Sequence, residues 1–566
     1  MVNQKLNTRC SICKLVSCLF LVFVLFPGFL TPTSHGAQMS RARMAREIDR
    51  FLTRQLKPGK PGIAVLAVMN NRVVLRRGYG MANLEHGIRM SPEHVFRIGS
   101  ITKQFTAAAI MMLAEEGKLK VSDPIEKYLD KYPTHGHNIT IEHLLNHTSG
   151  IRSYTGMTEF WEKHMRLDMT VEELIDFFKK EPMDFQPGER WLYDNSGYIL
   201  LGAIIEKVSG KSYPEFIRQR IFQPLGMNNS YYGSHLTIIP HRTAGYQKTK
   251  KGFDNCNFMS MKLPYAAGSL LSTVDDLYTW NRALASGRVV SESSLGKMIT
   301  PTRLNNGEVQ NYGYGLGVSD FFGSRLIGHG GGINGFSTYA MRIPDKGIFV
   351  VVLINCPGME PSPTFISQWI AALLMGKPLI EKKPVQVADE ILESYVGIYK
   401  IAKGDYREVI KEGNRLFTQR GGGLKYQIYP ESSNRFYYKL SFSRLNFVRD
   451  KDGRVIKMIM QRPEGDEEAV RVDKKDESAS PAISPYSELT GEYGEKEGFK
   501  MKIFETGGKL MAQGPGQQPL EISIEKKDIY ANKDANIRLE FQRDKKGNIT
   551  GFFLYQNGLK IIMDRN

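Results

Sequence analysis

The chain has 566 residues, 41% of them apolar and 24% charged, with a formal net charge of +17. That length calls for several domains, and the composition excludes both a disordered polymer and a multi-span membrane protein. The basic excess invites an anionic lipid or an acidic cell-wall polymer, but no dense Lys/Arg cluster interleaved with aromatics occurs, so nucleic acid is not expected as a partner.

Residues 1–36 open with Lys5, Arg9 and Lys14, continue into an apolar run from Leu15 to Leu30, and end on small residues including Ser34 and Gly36. This order is that of a secretory signal peptide cleaved near Gly36–Ala37, which predicts a periplasmic or secreted protein. The alternative is an uncleaved membrane anchor, for which the apolar run is near the short limit. Loss of the segment lowers the formal charge to about +14. It also removes Cys10, Cys13 and Cys18, so the Cys10-x-x-Cys13 pair is not read as a redox or zinc motif. Cys256 and Cys356 remain, enough for one disulfide but not proof of it.

A first folded region is expected over residues 38–376. Strand-like runs (Ile63 to Met69, Ile348 to Ile354) mix there with apolar residues at helical spacing (Ile101 to Glu116, Tyr198 to Val208). A Lys/Pro-rich connector, Lys377 to Val387, leads to short alternating strands broken by Gly and Asp-Gly turns. This remainder repeats itself at an offset of 94: Gly397 and Tyr399 recur as Gly491 and Tyr493, Leu416 and Gln419 as Leu510 and Gln513, and Arg444-Leu445 and Phe447 as Arg538-Leu539 and Phe541. One register over so many positions marks a duplication. Two small antiparallel barrels are expected, over 389–472 and 486–566, joined by the charged, Ser/Pro-rich stretch 473–485. Closing a sheet removes its edges, which favours barrels over two open sandwiches.

The chemistry concentrates in the first region. Ser100-Ile101-Thr102-Lys103 is an S-x-x-K motif opening a helix, so hydroxyl and amine share a face. Serine needs a base to become a nucleophile, and lysine serves only when burial or nearby charge lowers its pKa. The helix N-terminus supplies N–H groups suited to an oxyanion. Tyr193-Asp194-Asn195 follows turn residues and precedes a helix, and His329-Gly330-Gly331-Gly332 follows a short strand from Ser324 to Gly328. Glycines there would let a substrate backbone approach an edge strand.

Together these three motifs resemble those of the S-x-x-K serine hydrolases, the class C β-lactamase and penicillin-binding-protein superfamily. Leu144 to Gly150, Pro224 to Met227 and Ala266 to Thr273 resemble further phrases of that family, and the likeness covers roughly residues 45 to 375. It implies a multidomain chain: an α/β catalytic domain, with an antiparallel sheet flanked by helices and a helical subdomain, followed by the two barrels. By the same resemblance Ser100 forms the acyl-enzyme and Lys103 takes its proton. Tyr193, as phenolate or proton relay, protonates the leaving group, and Asn195 hydrogen-bonds Lys103 or the substrate carbonyl. The N–H groups of Ser100 and Gly332 form the oxyanion hole, with Gly331 beside them in the substrate-binding strand.

One departure matters. His329 stands where β-lactamases and carboxypeptidases carry Lys, and a neutral imidazole offers a substrate carboxylate little. That favours D-aminopeptidase-like, D-amino-acid-amidase-like or esterase chemistry on small peptides, amides or esters, cell-wall peptides among them, over D-Ala-D-Ala carboxypeptidase or β-lactamase action. D-aminopeptidase-like enzymes also join such a domain to two C-terminal barrels, here lipocalin-like. The rival from another class is a non-catalytic envelope protein whose barrels bind a ligand.

No cofactor and no metal are expected. Ser209-Gly210-Lys211-Ser212 lacks the first glycine of a P-loop, where Ile205 stands. His143 and His147, spaced i,i+4, lack a third ligand and are read as packing or turn-forming. His135 and His137 read as a solvated loop, and Arg420-Gly421-Gly422-Gly423 as a mobile turn, the alternative being a segment that reaches the active site. No G-x-S-x-G occurs.

Overall fold

A computed structural model describes residues 39–130, 132–157, 159–249, 251–379, 382–401, 405–420, 425–472, 486, 488–494, 500–506, 509–514, 520–526, 528–532, 537–544, 547–556 and 559–565. Residues 1–36, read above as a signal peptide, residues 473–485, read as a linker, and Gly421 to Gly423 lie outside the described residues. No described helix is long and apolar enough to cross a membrane.

Six antiparallel strands form the central sheet: β1 (Ile63–Met69), β2 (Arg72–Tyr79), β3 (Gly317–Phe321), β4 (Ser324–Ile333), β5 (Phe336–Ile343) and β6 (Ile348–Ile354). Their order is β3-β4-β5-β6-β1-β2. β1 and β6 are apolar at nearly every position because helices cover both faces. On one side lie α1 (Arg41–Gln55) and α5 (Pro363–Leu374), joined by Phe51 stacked on Trp369 at 4.0 Å. On the other, Ala64, Leu66 and Val68 join a cluster with α2 (Thr102–Glu115), α3 (Asn195–Ser209) and α4 (Val274–Ala285), where Phe105 stacks on Trp280 at 4.0 Å. The chain leaves this sheet after Tyr79 and returns at Gly317, and the excursion builds the helical subdomain.

Three elements differ from their sequence reading in ways that bear on the site. α2 is preceded by a 3-10 turn, Gly99–Ile101, so Ser100 sits on the turn and Lys103 on the helix. α3 begins at Asn195 and not at Tyr198, because Asp194 caps it, accepting from the N–H groups of Ser196 (2.7 Å) and Gly197 (2.8 Å). β4 does not stop at Gly328. It runs through all three glycines to Ile333, paired with β5 from Ile327↔Arg342 to Ile333↔Phe336.

Eight antiparallel strands between residues 397 and 472 close into a barrel. Eight more, between 491 and 564, form a nearly closed one, with a bridge between Tyr493 and Arg565 joining its ends. The duplication extends to single hydrogen bonds. Tyr399 Oη donates to Tyr395 O (2.8 Å), as Tyr493 Oη does to Leu489 O (2.7 Å). Arg471 donates to the carbonyls of Ser394 and Val396, and Arg565 to those of Glu488 and Thr490. The first barrel docks on the catalytic domain through Phe442, whose ring lies 5.7 Å from both Phe321 and Phe322 and 5.9 Å from Phe365. Phe322 N also donates to Pro463 O at 2.8 Å. This contact is at the β3–β4 hairpin turn, at the end of β4 away from His329 to Gly332.

Candidate active site

Ser100 reaches its position through glycines. Gly99 has φ +54°, and a Cβ there would sit 3.0 Å from Gly332 N and 3.1 Å from Gly332 O. The turn carrying Ser100 therefore packs closely against β4, with residue 99 in a left-handed conformation that favours glycine. A Cβ on Gly331 would lie 2.0 Å from Ile98 O and 2.4 Å from Thr338 Oγ1. Packing inside the protein thus accounts for Gly331, whereas Gly332 faces open space and is exposed, as approach by a substrate requires. Its N–H lies beside Gly99, next to Ser100.

Lys103 is fully buried, and desolvation pulls its pKa down from 10.5 to about 7, with the Asp194 carboxylate opposing the shift. Its Nζ lies 2.7 Å from Asn195 Oδ1, 3.0 Å from Ala267 O and 3.3 Å from Ser100 Oγ. A neutral amine has two N–H groups and one lone pair. The two close acceptors take the protons, which leaves the lone pair for the Ser100 hydroxyl. Asn195 is committed at both ends, since its Nδ2 donates to Thr155 Oγ1 at 2.8 Å, so of its two expected partners it holds Lys103. Asp194 is also buried, and desolvation raises its pKa to about 7 despite the α3 N–H groups.

The Tyr193 ring packs 4.8 Å from Lys103 Nζ. Its hydroxyl is buried and has no hydrogen-bond partner among the described residues. Burial pushes this phenol well up, with the nearby Ser100 hydroxyl pulling the other way. Of the phenolate and proton-relay roles that the resemblance offers, desolvation favours the neutral phenol and with it the relay.

Behind Tyr193 runs a chain of neutral groups. Asp194 N donates to His147 Nδ1 (3.1 Å), so the His147 proton is on Nε2, which faces Tyr312 Oη at 3.2 Å. Tyr312 Oη is 2.8 Å from His329 Nε2, and His329 Nδ1 donates to Gly330 O at 2.6 Å. One assignment satisfies every contact: His147 donates to Tyr312, Tyr312 to His329, and His329 to its neighbour's carbonyl. Desolvation, with Lys103 adding to it, lowers His329 to about 4, and the same causes hold His147 well below its ordinary value. Both imidazoles are neutral at pH 7, and both nitrogens of His329 are engaged within the protein.

Sequence reasoning thus found Ser100, Lys103, Tyr193, Asn195 and His329, which the fold brings together, and missed Asp194 as the cap and the pair His147–Tyr312. His147 is buried beside Tyr193 (ring centroids 4.3 Å) and stands at φ +63°, a turn signal in Asn146-His147-Thr148-Ser149-Gly150 that was readable but not tied to the site. His143 lies in the short helix Ile141–Leu145, where it forms a capping box with Thr140 and not a turn. No cluster of potential metal ligands occurs among the described residues, where Cys256 and Cys356 are free thiols. Gly210, in the P-loop decoy, ends α3 at φ +69°.

The sheet-and-helix fold with a serine–lysine pair at its junction defines a serine hydrolase of the β-lactamase and penicillin-binding-protein group. Residues 42–374 match the Beta-lactamase family, to which the chain belongs. A penicillin-binding protein of Bacillus subtilis (strain 168) is 30% identical over 429 residues, 72% of this chain and 94% of its own length. A D-aminopeptidase of Gluconobacter oxydans (strain 621H) is 27% identical over 344 residues, 60% of this chain and 63% of its own. The octameric penicillin-binding protein homologue from Pyrococcus abyssi superposes with a TM-score of 0.54 at 32% identity, covering 76% of this chain and all of that one.

Proposed function

We propose that this hydrolase is an exported acyl-serine enzyme that cleaves amides or esters, with D-amino-acid peptides or amides as the favoured substrates and small acyl esters next. The observation that carries the mechanism is Lys103: buried, near neutrality, and held so that its free lone pair faces Ser100. Ser100 Oγ attacks the substrate carbonyl as Lys103 Nζ takes its proton. The N–H groups of Ser100 and Gly332 receive the oxyanion. Tyr193 relays a proton from Lys103 to the leaving group, and water then releases the acyl group along the reverse route.

The D-aminopeptidase relative supports the choice of substrate, and His329 supports it independently. A neutral imidazole with both nitrogens engaged gives a carboxylate on the leaving group no charged partner. Substrates without that carboxylate are accordingly preferred. The test is a screen of D- and L-aminoacyl p-nitroanilides, p-nitrophenyl esters and nitrocefin, run beside fluorophosphonate labelling of the parent and Ser100→Ala. Turnover of D-aminoacyl substrates and labelling lost in Ser100→Ala are expected. Undiminished hydrolysis by Ser100→Ala overturns the mechanism, and faster turnover of nitrocefin than of any amide or ester overturns the substrate class.

A further inference from the structure

A cavity of about 170 Å³ lies beyond the Ile333 end of β4, with Arg97, Arg242, Thr243, Cys256, Met261 and Phe336 among its walls. Two of its polar atoms lack an internal partner. Arg97 Nη1 and Thr243 Oγ1 are both buried with no hydrogen-bond partner among the described residues, and Thr243 as a whole is 4% exposed. Arg242 spends one N–H group on Thr237 O (2.7 Å). Among the described residues no carboxylate pairs with either arginine. Arg242 is exposed, whereas Arg97 is half-buried over the Phe336 ring (5.8 Å) with its Nη1 fully buried, so an anion entering the cavity would meet one desolvated and one solvated guanidinium. Guanidinium matches a carboxylate with paired N–H groups.

The position suggests which anion. Arg97 precedes Ser100 by three residues, so their Cα atoms are at most about 11 Å apart. Tyr193 lies against His329 (ring centroids 6.1 Å), which puts the departing group at the His329 end of β4. The acyl portion then extends the other way, past Gly332 and Ile333, toward Phe336 and the cavity. We propose that this cavity is a carboxylate-binding subsite that receives an acidic group on the acyl portion of the substrate. The assignment rests on the acyl-serine reading above and adds a charge preference to it: acidic on the acyl side, uncharged on the leaving side.

The full chain is assayed with mono-p-nitrophenyl esters of adipic and suberic acid against the neutral hexanoate and octanoate of equal length. The parent is expected to favour an acidic ester by about tenfold in kcat/KM, the scale of hydrogen bonds to a charged group. Arg242→Gln and Thr243→Val should erase the preference while leaving the neutral esters within about twofold. A second arm needs no turnover: adipate should raise the melting temperature of Ser100→Ala but not of Ser100→Ala/Arg242→Gln. Equal rates on acidic and neutral esters, or a preference that survives Arg242→Gln, overturn the subsite. A melting shift without any ester preference means a free anion is bound, which overturns the acyl assignment. If no ester is hydrolysed, the acyl-serine reading has failed and the melting arm decides alone, an absent shift refuting the cavity as an anion site.

Discussion

Replacing Asn195 with Asp tests whether Lys103 works as a neutral base. The parent has an uncharged oxygen 2.7 Å from Lys103 Nζ, and the substitution puts a carboxylate there. At an effective dielectric of about 20, opposite charges at that separation attract by about 6 kcal/mol, equivalent to about four pKa units. If desolvation of the new carboxylate cancels half of this, the Lys103 pKa moves from about 7 to about 9. A lysine with a lowered pKa is neutral above it and charged below it, so the parent should gain rate as pH rises through about 7 and lose it as pH falls. Asp194 titrates in the same range, and the limb belongs to the pair. In Asn195→Asp the neutral fraction at pH 7 drops from about one half to about 1%, a loss of about 50-fold. The assay is the second-order rate of fluorophosphonate labelling at Ser100 from pH 5 to 10, which needs no knowledge of the substrate. The limb should move alkaline and the rate recover near pH 10. An acid limb that stays near pH 7, or a loss that high pH does not restore, would refute the argument that deprotonation of Lys103 limits attack.

Two further substitutions separate catalysis from stability. Tyr193→Phe removes a buried hydroxyl without a partner, so denaturant unfolding should show unchanged or slightly higher stability, by up to about 1 kcal/mol. Turnover should fall by about 100- to 10,000-fold, and parent-like turnover would remove Tyr193 from the mechanism. Tyr312→Phe leaves His147 Nε2–H without an acceptor and His329 Nε2 without a donor. At about 1–3 kcal/mol for each of the two orphaned groups, urea unfolding should register a loss of about 2–6 kcal/mol, and a variant as stable as the parent would disprove the hydrogen-bond chain.

How far the sequence could be read depended on the range of the interactions. β1 and β6 match the expected strands residue for residue, because burial on both faces writes an uninterrupted apolar run. Ser100 and Lys103 were legible as partners because i,i+3 spacing on a helix is local. The duplication was legible because an exact 94-residue register is a property of the string itself. β4 was cut short because three glycines carry no strand pattern, although hairpin pairing with β5 holds them extended. The choice between phenolate and relay at Tyr193, and the pairing of His147 with Tyr312 across 165 residues, were out of reach of the sequence for one cause. Desolvation and the meeting of distant segments exist only once the chain has folded.

Phe442 gives the duplicated barrels an asymmetry with a history. The position equivalent to it in the second copy is Asn536, while Tyr493, Leu510, Leu539 and Phe541 repeat the framework residues of the first. The framework and the aromatic anchor have therefore parted company since the copying event. The first copy became a fixture of the hydrolase, because removing it would strip the cover from Phe321, Phe322 and Phe365. The second kept the eight-strand architecture with Asn536 in the equivalent place, so that framework does not depend on an aromatic residue there.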